Sequence, residues 1–276
     1  MATNTYSLNH DMIDSAQAQA AQAYADNFGK PGYHDAEQLY IEQNYQGYTQ
    51  ENQETWTTLF DRQMEYLAAH ASNVYLGGAK AINLRRDRIP PVKDINARLQ
   101  PLTGWQSRPV PGYIPAKGFF ACLSRREFPT TIVIRPAESI DYLPEPDIFH
   151  DIFGHVPLHA DPIFADFLQT YGRAALNTDD DTHTERLARL FWFTVEFGLI
   201  HEDGQLKLYG SGLISSPGEA RHALTSEEVE RRPFDLETVC NTSFEIDHYQ
   251  PILYVLESFE QLRDAMETYA NRLLTD

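Results

Sequence analysis

The sequence predicts a mainly α-helical domain with a few short β-strands. Apolar residues recur every three or four positions over long stretches, as at Trp56, Leu59 and Phe60, which is typical of amphipathic helices. Residues that commonly cap helices, such as Asp161 and Ser258, directly precede several of these stretches. Runs of β-branched or alternating apolar residues are few and short, so helices should dominate.

The composition is that of a folded protein with an acidic surface. The chain has 276 residues, of which 42% are hydrophobic and 12% aromatic, enough to bury a sizeable core. Asp and Glu total 40 against 22 for Lys and Arg, which gives a net charge of −18. Such a surface repels phosphate backbones, so we expect no nucleic-acid partner.

The N-terminus and the cysteines indicate a cytoplasmic protein. No basic segment followed by an apolar segment opens the chain, so no secretory signal is predicted. No apolar run is long enough to span a bilayer, and we expect no membrane association. Cys122 and Cys240 lie far apart and belong to no CxxC pair, which favours two reduced, buried thiols.

The first part of the chain is predicted to be a polar arm followed by helices. We expect the arm over residues 1–35 and one folded domain over residues 36–276. Within the domain, helices are predicted over residues 50–71 and 92–99. A Gly-Gly pair should interrupt or end a helical piece that runs through residues 79–84.

The middle of the chain mixes loop, strand and helix. Residues 101–115 are rich in Pro and Gly and predict a long loop, a feature that is often functional. A helical turn over residues 118–123 and a buried strand over residues 130–134 follow. Asp147, after a Pro-rich lead-in, is suited to cap a helix that begins at Ile148.

The last part of the chain alternates helices with short strands. One predicted helix begins at Pro162, one at Pro217 and one directly after Ser258. Two more are predicted over residues 184–200 and 226–231. The predicted strands cover residues 205–209, 242–246 and 252–256, and residues 210–212 should form a turn.

Two histidines in the middle of the chain, His150 and His155, are separated by five positions. In the zinc metalloprotease motif the two histidines are four apart, hence about 40° apart around a helix. A spacing of five places them about 140° apart on an unbroken α-helix. Both can bind one metal ion only if the helix ends or distorts between them, which Gly154 and Pro157 would permit.

Glu196 is the candidate third ligand. It lies within an almost wholly apolar run, where burial of an unpaired carboxylate costs several kcal/mol. A divalent metal ion removes that cost, and two histidines with one carboxylate form the ligand set of non-haem Fe(II) oxygenases. A salt bridge from Glu196 to an arginine is the alternative. The histidines at positions 159, 183, 201, 222 and 248 are interpreted as ordinary core or surface residues.

Several motifs resemble one family. Pro144-Glu-Pro-Asp is followed by His150-Asp-Ile-Phe-Gly-His155-Val-Pro, by Trp192-Phe-Thr-Val-Glu196 and by Ser215-Ser-Pro-Gly-Glu219. Their sequence and order resemble the pterin-dependent aromatic amino acid hydroxylases, in particular the short bacterial phenylalanine hydroxylases. The resemblance runs from about residue 87 to the C-terminus.

The resemblance implies a set of site residues. His150, His155 and Glu196 match the three iron ligands, which makes them the catalytic centre. Arg135, Trp192 and Ser215 match substrate-binding positions, and Arg135 would hold the substrate carboxylate through its guanidinium fork. The pterin would be bound by Gly112, Ile114, Phe119 and Asp151.

The resemblance also implies an activity: hydroxylation of L-phenylalanine to L-tyrosine with dioxygen, Fe(II) and tetrahydrobiopterin. Trp192 favours phenylalanine or tyrosine over tryptophan, and Ile246, where tyrosine hydroxylases carry Asp, favours a ring without a hydroxyl. Hydroxylation of tyrosine or tryptophan stays open as an alternative. A monomer is expected, because no counterpart of the regulatory and tetramerising segments of animal members is visible.

Three positions depart from the family pattern: Asp151 replaces Glu, Phe191 replaces Tyr and Leu143 replaces Thr. None of them is a ligand, so they bear on rate and affinity. Two other functions use the same three ligands, a zinc hydrolase and a metal-storing or structural protein. The five-residue histidine spacing disfavours the hydrolase, and the matches at Arg135 and in the pterin loop disfavour the structural protein.

Overall fold

The computed structural model describes residues 19, 23–24, 26–27, 30, 35–141, 146–178, 180–246 and 248–274. The polar arm predicted over residues 1–35 lies almost entirely outside these residues and stays a prediction. Leu143 and the first two residues of the Pro-rich lead-in, Pro144 and Glu145, also lie outside them.

Within the described residues the chain forms ten α-helices, two π-helical segments and six strands. The helices are α1 Gln50–His70, α2 Asn73–Ala81, α3 Val92–Thr103, α4 Ala116–Ser124, α5 Pro162–Leu176, α6 Asp181–Phe191, α7 Ser211–Ser215, α8 Pro217–Thr225, α9 Leu236–Asn241 and α10 Phe259–Leu273. The π-helical segments are π1 Phe149–His155 and π2 Trp192–Glu196. The strands are β1 Gln106–Val110, β2 Glu127–Thr131, β3 Leu199–Glu202, β4 Gln205–Leu208, β5 Glu230–Pro233 and β6 Ile252–Leu256.

The strands form two small sheets. In one, β1 and β2 pair in parallel, with Gln106 opposite Glu127 and Val110 opposite Thr131. In the other, the order is β4-β3-β6-β5, with β3 antiparallel to β4 and parallel to β6. The mainly helical fold with few short strands, predicted from the sequence, is confirmed.

Segment π1 lies at the centre of the hydrophobic core. Phe149 stacks on Phe153 at 4.4 Å, and Trp56 of α1 meets Phe149 edge-on at 5.4 Å. The Tyr75 hydroxyl of α2 donates a hydrogen bond to the Phe153 carbonyl over 2.9 Å. Aromatic packing of this kind is dense and directional, so it holds the backbone of π1 in place from one side.

Several predicted elements are confirmed within one or two residues. The helix predicted over 50–71 is α1, with Thr49 and Asn52 forming a reciprocal capping box. Asp161 caps α5, Ser216 caps α8 and Ser258 caps α10 through their side chains. The strands predicted at 205–209 and 252–256 are β4 and β6.

The Gly-Gly prediction was wrong, because Gly77 and Gly78 lie inside α2. The reason is tertiary: a Cβ added to Gly78 would lie 1.9 Å from the carbonyl oxygen of Pro157. The glycine therefore allows α2 to pack directly against the chain that follows π1, at the known propensity cost of glycine in a helix.

The loop predicted over residues 101–115 is shorter than expected. Helix α3 continues to Thr103, with Pro101 inside it, and Gly104 ends it in the left-handed conformation at φ 78°. Strand β1 then occupies part of the predicted loop; it has a single partner strand, so Pro109 is tolerated there. That partner, β2, ends at Thr131, whereas the sequence placed a strand over 130–134.

Four further predictions were wrong. The helix predicted over 184–200 ends at Glu196, and Ile200 belongs to β3, because β4 and β6 supply pairing partners on either side. The predicted turn at 210–212 begins α7, and the predicted helix over 226–231 gives way to β5, which pairs with β6. Residues 242–246 are not a strand but a loop, which the unpredicted helix α9 precedes.

Among the described residues, no helix combines the length and the apolar character needed to cross a bilayer.

Candidate active site

The two histidines are brought together by the π-helical geometry of π1. In a π-helix each N–H bonds five residues back, as Val156 N–H does to the Asp151 carbonyl, so residues five apart lie one above the other. His150 Nε2 and His155 Nε2 consequently lie 3.1 Å apart. The predicted distortion between the two histidines is confirmed, and it takes the form of a wider helix rather than a break.

Glu196 reaches the same point from π2. Its Oε1 lies 3.2 Å from His155 Nε2, and its Oε2 lies 3.7 Å from His150 Nε2. These three side chains form a group that could hold a metal ion, with the nearest ligand atoms all within 4.8 Å of one another. The salt bridge to an arginine, the alternative partner for Glu196, is not among the contacts of the described residues.

Two serines of α7 orient these ligands. The Ser215 hydroxyl donates to the Ser211 carbonyl over 2.8 Å, so its oxygen accepts the Nδ1–H of His150, also at 2.8 Å. A neutral histidine protonated at Nδ1 keeps the lone pair of Nε2 free, and that atom faces His155 and Glu196. Ser211 lies 3.0 Å from both His155 Nε2 and Glu196 Oε2.

The electrostatics favour a bound cation. Burial lowers the pKa of His150 to about 4, although the nearby Glu196 carboxylate opposes this shift, so the imidazole is neutral at neutral pH. For Glu196, burial raises the pKa, but His155, His150 and Ser211 outweigh burial and lower it to about 2. The group therefore offers a neutral imidazole lone pair and an ionised carboxylate.

The spacing also fits a divalent ion. Two ligands at right angles, each about 2.1 Å from an ion, lie about 3 Å apart. The distances of 3.1 and 3.2 Å from His155 Nε2 to the other two ligands correspond to this arrangement. His155 is almost fully buried, whereas the His150 and Glu196 side chains are 20% and 16% exposed, so ligands can approach from one side.

The predicted substrate-binding arginine is held by a buried carboxylate. Arg135 Nε and Nη2 donate to the two oxygens of Asp147 over 2.8 and 3.0 Å, and Asp147 is fully buried. Asp147 also accepts the backbone N–H groups of Arg135 and His150, so it caps the start of the histidine-bearing segment. Burial raises the pKa of Asp147, but the Arg135 guanidinium outweighs it and keeps the pKa below the usual value.

Trp192 begins π2 and lies between two other rings. It stacks on Phe244 at 4.5 Å with an interplanar angle of 15°, and Phe197 lies 4.6 Å from it. Its indole N–H donates to the Gln250 side-chain oxygen over 2.9 Å. These aromatic rings form an apolar surface on the segment that carries Glu196.

Comparison with known proteins decides the family. The sequence profile of the family described as biopterin-dependent aromatic amino acid hydroxylase matches residues 31–276. The chain belongs to this family.

Relatives and solved structures agree with that assignment. A phenylalanine-4-hydroxylase of Mesorhizobium japonicum is 45% identical over 229 residues, 83% of this chain and 82% of the relative. The structure of Chromobacterium violaceum phenylalanine hydroxylase with iron(III) and 7,8-dihydrobiopterin has a TM-score of 0.82 at 38% identity, covering 93% of this chain and 92% of that one. A tyrosine 3-monooxygenase of Rattus norvegicus is 41% identical over 230 residues, 82% of this chain and 46% of the relative.

The residues of this hydroxylase predicted to bind pterin lie on and around α4. Phe119 of α4 meets Phe128 and Phe191 edge-on, at 6.1 and 5.7 Å, and Phe128 in turn lies 4.7 Å from the His155 ring. Phe119 is thus one aromatic ring away from a metal ligand. Its predicted role in stacking on the pterin stays a prediction.

The loop before α4 is what remains of the long predicted loop. Ile114 is buried, and its side chain packs with Val110 and Cys122 in a small second core, while Gly112 is partly exposed. The buried side chain leaves the backbone of this loop as the part that could face a ligand. The pterin contacts predicted for Gly112 and Ile114 stay predictions.

Asp151 faces the end of β2. Its Oδ2 accepts hydrogen bonds from the N–H and the hydroxyl of Thr131, both over 2.7 Å. Burial raises the pKa of this carboxyl to about 7 although both hydrogen bonds act to lower it. One carboxylate oxygen of Asp151 is thus engaged in hydrogen bonds with Thr131 of β2. The predicted contact of Asp151 with the pterin stays a prediction.

Sequence reasoning missed Ser211 and Gln250, and it assigned Asp147 only a capping role. Ser211 stood in a segment interpreted as a turn, and Gln250 in a polar stretch. No spacing rule identifies either residue, because their side-chain partners on π1 and π2 lie 15 or more positions away. The only local signal was the Pro-rich lead-in before Asp147, which indicated that its backbone is constrained.

Proposed function

We propose that this hydroxylase converts L-phenylalanine to L-tyrosine with dioxygen and tetrahydrobiopterin at an Fe(II) ion bound by His150, His155 and Glu196. The observation that carries the proposal is the convergence of two imidazole nitrogens and one ionised carboxylate on a single partly exposed point. The bacterial relative named above, a phenylalanine-4-hydroxylase, supports the choice of substrate. When bound, Fe(II) and the pterin supply the activation of dioxygen.

Arg135 would bind the substrate carboxylate. Its Nε and Nη2 hydrogens on one edge are paired with Asp147, and Nη1 has no hydrogen bond among the described residues. A guanidinium has five N–H donors arranged along two forked edges. The Nη1–Nη2 edge can therefore bind a second carboxylate by donating two parallel hydrogen bonds. Asp147 keeps the guanidinium in one orientation, which reduces the entropy lost when substrate binds.

The aromatic surface around Trp192 would enclose the substrate ring. Trp192, Phe197 and Phe244 offer flat apolar surfaces and exclude water from the ring. Such a surface provides no partner for a ring hydroxyl, and a buried unpaired hydroxyl costs binding free energy. This supports phenylalanine over tyrosine as the substrate. Sequence identity alone does not distinguish the two substrates, because the rat tyrosine 3-monooxygenase is also 41% identical to this chain.

Ser215 and Ser211 hold the ligands ready for the ion. Ser215 fixes the His150 tautomer, and Ser211 contacts both His155 and Glu196. Phe119, which packs edge-on against Phe128 and Phe191, would stack on the pterin ring. The protein thereby orients substrate and pterin about one point, which is its main contribution to such a reaction.

We also propose a monomeric, cytoplasmic protein. Both cysteines are free and buried, which suits a reducing compartment. Light scattering of the purified protein checks the monomer, and a dimer would contradict it.

The test is a product assay. The protein is loaded anaerobically with Fe(II), mixed with tetrahydrobiopterin and one of the three aromatic amino acids, and exposed to air. We expect tyrosine from phenylalanine at the highest kcat/KM, and no product from the protein loaded with Zn(II) instead. Preferential formation of dihydroxyphenylalanine or hydroxytryptophan would assign the substrate to another branch of the family. Absence of every hydroxylated product would overturn the proposal and leave a hydrolase or a structural metal site.

A further inference from the structure

One side-chain amide connects the substrate surface to the loop over residues 242–251, all of which the structure describes except Asp247. Gln250 is 2% exposed. Its Nε2 donates to the carbonyls of Glu245 and His248 over 2.8 and 3.0 Å, and its Oε1 accepts the Trp192 indole N–H over 2.9 Å. A glutamine with three such bonds is fully engaged on both ends of its amide.

The chemistry of the partners fixes which end of the amide faces which partner. An indole N–H can only donate, and backbone carbonyls can only accept. The oxygen of Gln250 must therefore face Trp192, and its nitrogen must face the loop. A glutamate would place an anion against two carbonyl oxygens, and a methionine would lose all three hydrogen bonds while keeping a similar shape.

Most of the other described residues of this loop are exposed. Ile246 is 75% exposed and Tyr249 is 56% exposed. Phe244 stacks on Trp192, and the Tyr249 ring stacks on His222 of α8 at 4.7 Å. Two side-chain anchors of the loop, Phe244 and Gln250, thus meet at the same residue, Trp192.

Trp192 in turn belongs to the segment that carries a metal ligand. It lies four positions before Glu196 on π2, and the Phe197 N–H bonds to its carbonyl over 2.9 Å. A shift of the Trp192 ring therefore changes the surface offered to a substrate ring, while the backbone of π2 is held separately by its own hydrogen bonds.

We propose that Gln250 is a positioning residue for the substrate: it fixes the orientation of Trp192 and the path of the 242–251 loop, and thereby the fit of the phenylalanine ring. This inference rests on the proposed function. Substitution of Gln250 should therefore change substrate binding and the amount of product formed per pterin consumed, and should leave metal binding unchanged.

The experiment compares Gln250→Met and Trp192→Phe, singly and together, with the wild-type protein. Gln261→Met is the matched control, because Gln261 also bonds backbone groups through its side chain, but at the start of α10. Four measurements are made: KM and kcat for phenylalanine, tyrosine formed per tetrahydrobiopterin oxidised, the amount of bound iron, and amide hydrogen exchange of the 242–251 peptide in the protein without substrate.

Loss of the buried hydrogen bonds should raise KM for phenylalanine roughly five- to tenfold, with kcat changed by less than about threefold. Tyrosine formed per pterin should fall, the 242–251 peptide should exchange faster, and bound iron should stay constant. Trp192→Phe should accelerate exchange in the same peptide. The effect of the double variant should be smaller than the sum of the two single effects, because both substitutions remove one shared bond. Gln261→Met should change none of these quantities.

Faster exchange with an unchanged KM and product yield would overturn the proposal, since Gln250 would then serve the fold alone. Additive effects of the two substitutions would also overturn it. If wild-type protein makes no tyrosine, the proposed function fails, while the exchange measurements still decide whether Gln250 and Trp192 act as a pair.

Discussion

The metal-ligand group and the 242–251 loop both approach Trp192 or its segment π2, but they are built differently. His150, His155 and Glu196 are largely buried, come from two π-helical segments and share hydrogen bonds with Ser211 and Ser215. The loop is mostly exposed, and its described residues contact Trp192 of π2 through one hydrogen bond and one ring contact. A rigid group serves a step that tolerates little displacement, whereas a loosely anchored loop can vary with the substrate.

A second contrast separates two carboxylates near the histidines, Glu196 and Asp151. Glu196 is ionised because the histidines outweigh its burial, whereas for Asp151 burial outweighs His155 and the hydrogen bonds from Thr131 and raises the pKa to about 7. Position in the fold, and not residue type, therefore decides which carboxylate is an anion ready to bind a cation.

The largest effect is expected at the metal-ligand group. Glu196→Ala removes the one anionic ligand, so bound iron should fall below detection and tyrosine formation should drop about a thousandfold or more. Metal analysis and the product assay measure this, and circular dichroism should show a retained fold. Glu257→Ala, at an exposed pair with His201, is the control and should keep full activity. Turnover that survives Glu196→Ala would refute the ligand assignment.

An intermediate effect is expected at the buried pair behind the substrate carboxylate site. Asp147→Asn leaves the Arg135 charge without its partner, which should lower the free energy of unfolding by about 3 kcal/mol and raise KM for phenylalanine. Urea unfolding and steady-state kinetics measure the two effects. Asp141→Asn breaks an ion pair with Arg62 in which Asp141 is 88% exposed, and it should cost less than about 1 kcal/mol. Equal losses in the two variants would show that the Arg135–Asp147 pair has no special role.

The smallest effect is expected at Glu219 of α8. Burial raises the pKa of Glu219 to about 7, so its contribution to stability is present below the usual carboxyl pKa and is lost as the pH rises through about 7. Glu219→Gln should therefore stabilise the protein by about 1 kcal/mol at pH 8 and by much less at pH 5. The value at pH 8 is reduced to allow for the partial exposure of this side chain. Urea unfolding at both pH values measures the difference. The exposed Glu227→Gln should show no such pH dependence, and a Glu219 effect that is equal at both values would contradict the argument.

Local sequence signals predicted the elements whose determinants lie within a few residues. Helix starts at Thr49, Asp161, Ser216 and Ser258 depend on a side chain that bonds an N–H two or three residues ahead, and such a bond is readable from spacing. Segments such as residues 101–115 and 226–231 were misassigned because the strands in them exist only through partners far along the chain.

The sequence by itself predicted a candidate ligand set and showed that both histidines could bind one metal ion only if the helix ends or distorts between them, because a spacing of five cannot converge on an α-helix. The tertiary structure decided that the distortion is a π-helix, which packing of Phe149 and Phe153 against α1 and α2 holds in place. It also decided that Asp147 pairs with Arg135 and that Gln250 holds Trp192. These contacts join segments that no local spacing relates, and their energies depend on burial, which only the folded chain creates.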